Sequence, residues 1–149
     1  MQNLNLPNYD FKLKTIEGKK YIFDQVRKKY LILTPEEWVR QHFINFLNVT
    51  FNYPLSLMTV EQPLKYHSMN KRADIICYNG LGKKILMVEC KAPNVKLNQL
   101  VFDQIARYNF ELKLPFLVVT NGINHYCCAI DHHNLRYEFV ENIPIYQPC

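Results

Sequence analysis

Two short runs constrain this chain more than any other feature. ILMVEC at residues 85–90 and FLVVT at 116–120 are apolar at nearly every consecutive position. Strand side chains alternate between two faces, so a strand wet on one side alternates apolar with polar residues. These runs do not. They predict central strands of a sheet covered on both faces.

Turn and cap signals place the other elements. FKLKTIEGKKYIF (11–23) reads as a hairpin turning at Glu17-Gly18. Thr34 suits a helix N-cap, Pro35 the first helical position, and Glu37 the acid of a capping box. This helix is expected to reach about Asn48 and to bury Val39, Phe43, Phe46 and Leu47. Residues 55–66 read as a strand interrupted at Pro63. The basic pair Lys71-Arg72 reads as a loop leading into the strand ADIICY (73–78), and NGLGK turns the chain into 85–90. A second helix is expected over about 97–111, with strands near 116–120, 124–130 and 135–140. Helix, strand meander, helix and further strands describe an α/β sandwich around a mixed sheet, not a regular βαβ repeat.

Composition removes several classes. The 149 residues have the length of one domain. No apolar run approaches the ~20 residues of a membrane helix. The first residues, MQNLNLPNYDFKLK, are not expected to be a signal peptide, and a cytoplasmic chain is the expectation. Five cysteines without CxxC spacing read as reduced, buried thiols, and Cys127 and Cys128 should point to opposite sheet faces. The histidines show no zinc spacing. The four glycines form neither GxGxxG nor GxxxxGK, so these residues hold no nucleotide-driven motor. A net charge of +5 favours an anionic partner.

The chemistry concentrates where the first apolar run ends, at Glu89-Cys90-Lys91. Residues two apart on a strand project together, about 6.6–6.8 Å from each other. A pair of ions there needs partners, a metal or water. An ordinary ion pair is the plain alternative. Asp74 stands about as far before the NGLGK turn as Glu89 stands after it, so an antiparallel hairpin sets Asp74 across from 89–91. Two converging carboxylates repel, and a hard divalent cation relieves that repulsion. Mg²⁺ takes one or two carboxylates, keeps waters and accepts phosphate oxygens. It acidifies a bound water and polarises the phosphate, while a lysine orients that water or neutralises the transition state. This is the chemistry of phosphodiester hydrolysis.

Both helices add candidates. On a wheel, the second buries Leu97, Leu100, Val101, Ile105 and Tyr108. Gln104 falls inside that stripe, where an amide is satisfied either in the core or at a site on the sheet. On the first helix, Glu36 lies at the edge of the apolar arc and Glu37 points away. Glu36 is thus the candidate for a further acid near the metal, or a charge favourable to the helix dipole. Arg27-Lys28-Lys29 and Lys71-Arg72 are candidate phosphate contacts, or solvated surface charge.

Asp74, then Glu89-Cys90-Lys91, then Gln104 to Tyr108 resembles the PD-(D/E)xK nuclease superfamily with its QxxxY motif. Together, RKKY (27–30), TPEEWVRQ (34–41), KRADI (71–75), VECKAP (88–93), QIARYN (104–109) and VTNG (119–122) resemble the N-terminal nuclease domain of type I restriction enzyme R subunits. The resemblance covers about 21–125. It implies a restriction-endonuclease-like core, with residues 1–149 as one nuclease-like domain, a hairpin at about 11–23 and a core over about 30–131. It also implies Mg²⁺-dependent DNA cleavage, with Mn²⁺ as a substitute. Asp74 and Glu89 would ligate the metal and Lys91 would be the catalytic lysine. Gln104 and Tyr108 would match the QxxxY pair, and Glu36 or Glu37 the helical acid. Ala73 stands where the superfamily expects proline. The implied partners are DNA, and other restriction-system subunits or a separate motor protein. A homodimer would supply a second active site for cutting both strands, and no membrane is expected. The alternative is a catalytically silent DNA- or protein-binding module on the same fold.

Overall fold

The computed structural model describes residues 1–66 and 69–148, with the side chains of residues 65, 66, 69, 70, 108 and 111 left out. Three strands come first: β1 (Leu13–Ile16), β2 (Lys19–Asp24) and β3 (Lys29–Ile32), paired antiparallel in that order. Glu17 and Gly18 both take positive φ, 50° and 79°, as a two-residue hairpin with right-handed strand twist requires.

Helix α1 (Pro35–Phe51) begins where Thr34 Oγ1 accepts the Glu37 N–H at 3.0 Å. It ends at Phe51, three residues beyond expectation, with Asn52 capping it at φ 66°. Val39, Phe43 and Leu47 are buried as predicted, while Phe46 is half-buried. A short 3₁₀ turn (Leu55–Leu57) leads into β4 (Met58–Tyr66). β5 (Met69–Tyr78) and β6 (Lys84–Cys90) follow, then α2 (Gln99–Leu112), β7 (Phe116–Thr120), β8 (His125–Asp131) and β9 (Arg136–Val140).

The second sheet runs β4-β5-β6-β7-β8-β9. All its neighbours are antiparallel except β6 and β7, which run parallel across the α2 crossover. These are the two runs apolar on both faces, and they sit at the sheet's centre. One layer of core packs with α1 and includes Phe43, Ile75, Val88, Val118 and Cys127. The other packs with α2 and includes Ile76, Met87, Phe102, Val119 and Cys128. The α/β expectation, with a mixed sheet between helices, is met. Cys77, Cys90, Cys127 and Cys128 are buried free thiols, and Cys149 lies outside the described residues. No described helix is long and apolar enough to cross a membrane.

Three expectations need correction. Pro63 does not interrupt β4; it pairs with Arg72. A proline lacks a donor, and β4 is an edge strand on which that donor is not needed. Lys71 and Arg72 lie within β5, opposite Leu64 and Pro63, not in a loop. The buried stripe of α2 has a different phase. Phe102, Ile105, Ala106 and Asn109 face the core, whereas Leu100 is 66% exposed and Gln104 is exposed. Asn98 caps the helix, so Leu97 precedes it, yet Leu97, Val101 and Ile105 do pack with this layer of core as expected. Phe102 sets the phase by meeting Tyr126 and Phe139 edge-on at 5.3 and 5.2 Å.

A buried ionic lock joins the first sheet to α1. Asp24 is wholly buried and accepts from the Val26 and Arg27 amides, from Arg27 Nε at 2.7 Å and from Gln41 Nε2 at 2.9 Å. Arg27 also reaches both Glu37 oxygens. Burial raises the pKa of Asp24 and Glu37, but these bonds outweigh it and hold both below the usual range. A depressed acid stabilises the fold fully above its unfolded value, about 4, and that stability drains as pH falls through the folded value. Thermal melts across pH should therefore show a steep loss below about pH 4. Asp24→Asn should cost about 2 kcal/mol near neutrality and flatten that acid limb.

Candidate functional site

The ladder between β5 and β6 runs from Tyr78↔Lys84 to Ile75↔Val88. Asp74 comes next on β5, and its side chain takes over where the ladder's backbone pairing stops. Its Oδ2 accepts the Cys90 N–H at 2.7 Å. The predicted meeting of Asp74 with the 89–91 region is thus realised. β6 stays paired with β7 to Cys90↔Thr120, and Lys91 N donates to Thr120 O at 2.8 Å.

Both outer strands change faces at this level. Val60 packs in the α1-side layer and Leu64 in the α2-side layer, although residues four apart should share a face. Ala73 and Ile75 are likewise split between layers. Between them lie Glu61 and Asp74, facing each other across the register. Glu61 has φ 57°, the left-handed region rare for residues with a side chain. The switch brings both acids within reach of α1.

Arg40 meets them there. Its Nη1 donates to Asp74 Oδ1 at 2.9 Å and to Glu61, and its Nε and Nη2 fork onto Glu37 at 3.0 Å each. Arg40 was not among the residues singled out from sequence. Its signal was spacing: it stands four residues after Glu36 and three before Phe43, on the buried stripe of α1. The expectation for Glu37 also changes. It is 5% exposed and held by Arg27, Arg40 and Gln41, while Glu36 is the exposed acid. Only half of the capping box forms, because the Glu37 carboxylate goes to the arginines.

Val88 and Cys90 pack in the α1-side layer, so Glu89 and Lys91 share the other side of β6. Lys91 Nζ lies 3.7 Å from Glu89 Oε1, with the Glu89 side chain 15% and the Lys91 side chain 34% exposed. Burial chiefly, and then the Glu89 charge, push the Asp74 carboxyl up to about 7. The Cys90 amide and Arg40 oppose the rise, and Glu36 adds to it. Glu36 thus bears electrostatically on the Asp74 carboxyl. Burial pushes the Cys90 thiol well up, which disqualifies it as a nucleophile at neutral pH.

The VTNG turn steadies the segment that follows Lys91. Asn121 Nδ2 donates to Val95 O at 2.7 Å, and its Oδ1 accepts from the Ile123 and Asn124 amides. Gly122 has φ 86°, and a Cβ there would meet Leu4 at 2.8 Å.

Asp74 and Glu89 are the carboxylates that would supply oxygen donors to a hard cation, and the charged form of Asp74 is disfavoured. Each Asp74 oxygen already accepts a bond, yet a carboxylate offers about four lone-pair sites. Among the described residues, no three or more His, Cys, Asp or Glu side chains gather tightly enough to encircle an ion, so water or phosphate would complete a shell.

The other predicted residues are dispersed. Gln104 is on the outer side of α2, and the Tyr108 side chain lies outside the described residues. Arg27 is committed to Asp24 and Glu37, which leaves Lys28 and Lys29 as the exposed cations of that cluster. Arg72 is exposed and Lys71 half-buried.

Comparison with known proteins identifies a family. No curated protein matches the chain. The family model described as the type I restriction enzyme R protein N terminus (HSDR_N) matches residues 35–144, from the start of α1 to beyond β9. That span includes Arg40, Asp74, Glu89 and Lys91. The chain belongs to the family of type I restriction enzyme R protein N-terminal domains.

Proposed function

We propose that this chain is a Mg²⁺-dependent DNA endonuclease module of a restriction system. The observation that carries the reading is Asp74: burial and then the Glu89 charge push its carboxyl up even with Arg40 at 2.9 Å. Asp74 and Glu89 would hold the ion, with Glu36 as the added helical acid. Bound there, Mg²⁺ supplies an acidified water and a polarised phosphate.

The chain's own residues do the rest. Lys91 lies on the same side of its strand as Glu89, where its ammonium orients the attacking water or balances charge on the phosphate. The Cys90 amide fixes the Asp74 carboxylate, and Arg40 holds it from the other side, so its oxygens are positioned before an ion arrives. Gln104, Tyr108, Lys28, Lys29, Lys71 and Arg72 are assigned to DNA contact, and Arg27 to the support of Glu37. One site cuts one strand, so a double-strand break needs a second copy or a second event. The partners proposed are DNA and the other subunits of such a system.

One observation favours a second reading. Arg40 already neutralises part of the Asp74 charge, as it would in a silent module that binds DNA or protein without cutting.

A plasmid assay with Mg²⁺ or Mn²⁺ separates the two. Nicking by the wild-type chain that falls at least about 100-fold in Asp74→Ala and Lys91→Ala supports the enzyme. Activity surviving both substitutions overturns the residue assignment. Metal binding has its own readout. Millimolar Mg²⁺ should raise the Tm of the wild-type chain, by mass action on the folded state, and leave Asp74→Ala unmoved. Removing one partner of a buried ion pair costs about 3–5 kcal/mol, so Arg40→Gln should melt early in EDTA. Mg²⁺ should restore more of that loss than it adds to the wild type.

A further inference from the structure

The charge of the chain is not evenly spread. Residues 11–33 hold seven of its 18 Lys and Arg but two of its 13 Asp and Glu. The whole formal charge of +5 therefore sits in this stretch, and the remaining residues balance. Of the two acids, Asp24 is buried against Arg27, which leaves Glu17 in the turn. The stretch is the three-stranded sheet β1-β2-β3.

Register sorts its side chains into two faces. Ile22 and Asp24 are fully buried, and Asp24 bonds Gln41 of α1, so their face packs inward. The opposite face aligns Lys14, Tyr21 and Ile32 in one row. Lys12, Phe23 and Tyr30 form the next row, and Lys19 stands opposite Ile16. Lys12, Lys14 and Lys19 are exposed, and no acid occurs in these rows, with Asp10 the acid beside them, in a hollow shared with Lys12 and Phe23. Lys14 Nζ rests 3.9 Å from the Tyr30 ring centroid, and Lys12 Nζ 5.4 Å from that of Phe23. A ring beneath an ammonium limits the conformations its stem must give up on meeting an anion.

We propose that the outward face of β1-β2-β3, opposite the face that buries Ile22 and Asp24, binds the phosphate backbone of duplex DNA. The proposal rests on the reading of this chain as a DNA-acting module, and adds a binding surface that the carboxylate cluster does not need. Duplex DNA carries a charge about every 1.7 Å of its axis. A single strand instead gains much of its affinity by stacking bases on bare rings. Here lysines lie over two of the three rings, so the face offers charge rather than stacking platforms. Such contacts position the duplex without reading its sequence.

Fluorescence anisotropy in EDTA tests this with a labelled duplex and its single strand, from about 50 to 200 mM salt. The variant is Lys12→Gln/Lys14→Gln/Lys19→Gln, with circular dichroism to confirm its fold. The magnitude of its log-affinity against log-salt slope should fall by about 2.7, which is about 0.9 for each phosphate that is no longer neutralised. Lys83→Gln/Lys84→Gln, beside the β5–β6 turn, should leave the slope unchanged. A triple variant with the wild-type slope overturns the proposal, as does an equal loss per charge in the control. Tighter binding of the single strand, abolished in Tyr30→Ala, overturns it in favour of base stacking. Binding in EDTA needs no cleavage, so the salt slope tests this surface even if the nuclease reading fails.

Discussion

One guanidinium ties α1 to two strands of the large sheet. Arg40 donates to Glu37 on its own helix, to Glu61 on β4 and to Asp74 on β5. Its planar fork fixes the direction of every bond, which a lysine would not do. It is only 6% exposed, so these are bonds made away from water, where an unpaired carboxylate would be costly. The helix cannot shift along the sheet without breaking them. Through Glu37 and Arg27 the same network continues to Asp24, and so to the small N-terminal sheet. The basic surface and the carboxylate cluster are thereby held to one helix.

The position of Asp74 depends on a backbone irregularity. Regular alternation would set Asp74 on the face opposite Ile75, away from α1. The change of face at Glu61 and Asp74 turns both acids toward Arg40 instead. Glu61 at φ 57° is the local sign of that change, and such a conformation persists where surrounding contacts over-determine it. The bond from Cys90 N–H to Asp74 then substitutes for the strand pairing that the irregularity gives up. A carboxylate in the role of a ladder carbonyl gains two things: a fixed position and a second oxygen directed elsewhere.

Much of this was legible in the sequence because it depends on local signals. The central pairing of β6 with β7 followed from runs apolar at nearly every position. The nearness of Asp74 to Glu89 followed from a short turn, since a brief hairpin loop leaves little freedom of register. Thr34, Pro35 and the Glu17-Gly18 turn are read within four residues. What failed was what depends on distant partners. The phase of α2 is set by Phe102 against Tyr126 and Phe139, rings contributed from β8 and β9. Glu37 is buried rather than solvated because Arg27, ten residues earlier, and Arg40 both claim it. Arg40 itself looked like one more helix cation, since its partners Glu61 and Asp74 are 21 and 34 residues away.

The state of Asp74 shows what the cluster lacks. Arg40 at 2.9 Å and an amide at 2.7 Å would ordinarily hold a carboxyl well below its usual value. Here it is displaced upward, so burial together with the charges of Glu89 and Glu36 outweighs both. Burial is the largest cause, and the shared arginine offsets only part of it. Its charge is divided among three acids, and Glu89 is paired with Lys91 only at 3.7 Å. The surroundings of Asp74, burial first, therefore disfavour its charged form even with Arg40 in place. A proton or a cation relieves such a penalty, and a divalent cation relieves more of it than a proton does. An arginine that positions the acid while leaving the penalty in place is compatible with a metal-dependent site. A site whose charges were already balanced would have had no electrostatic reason to accept an ion.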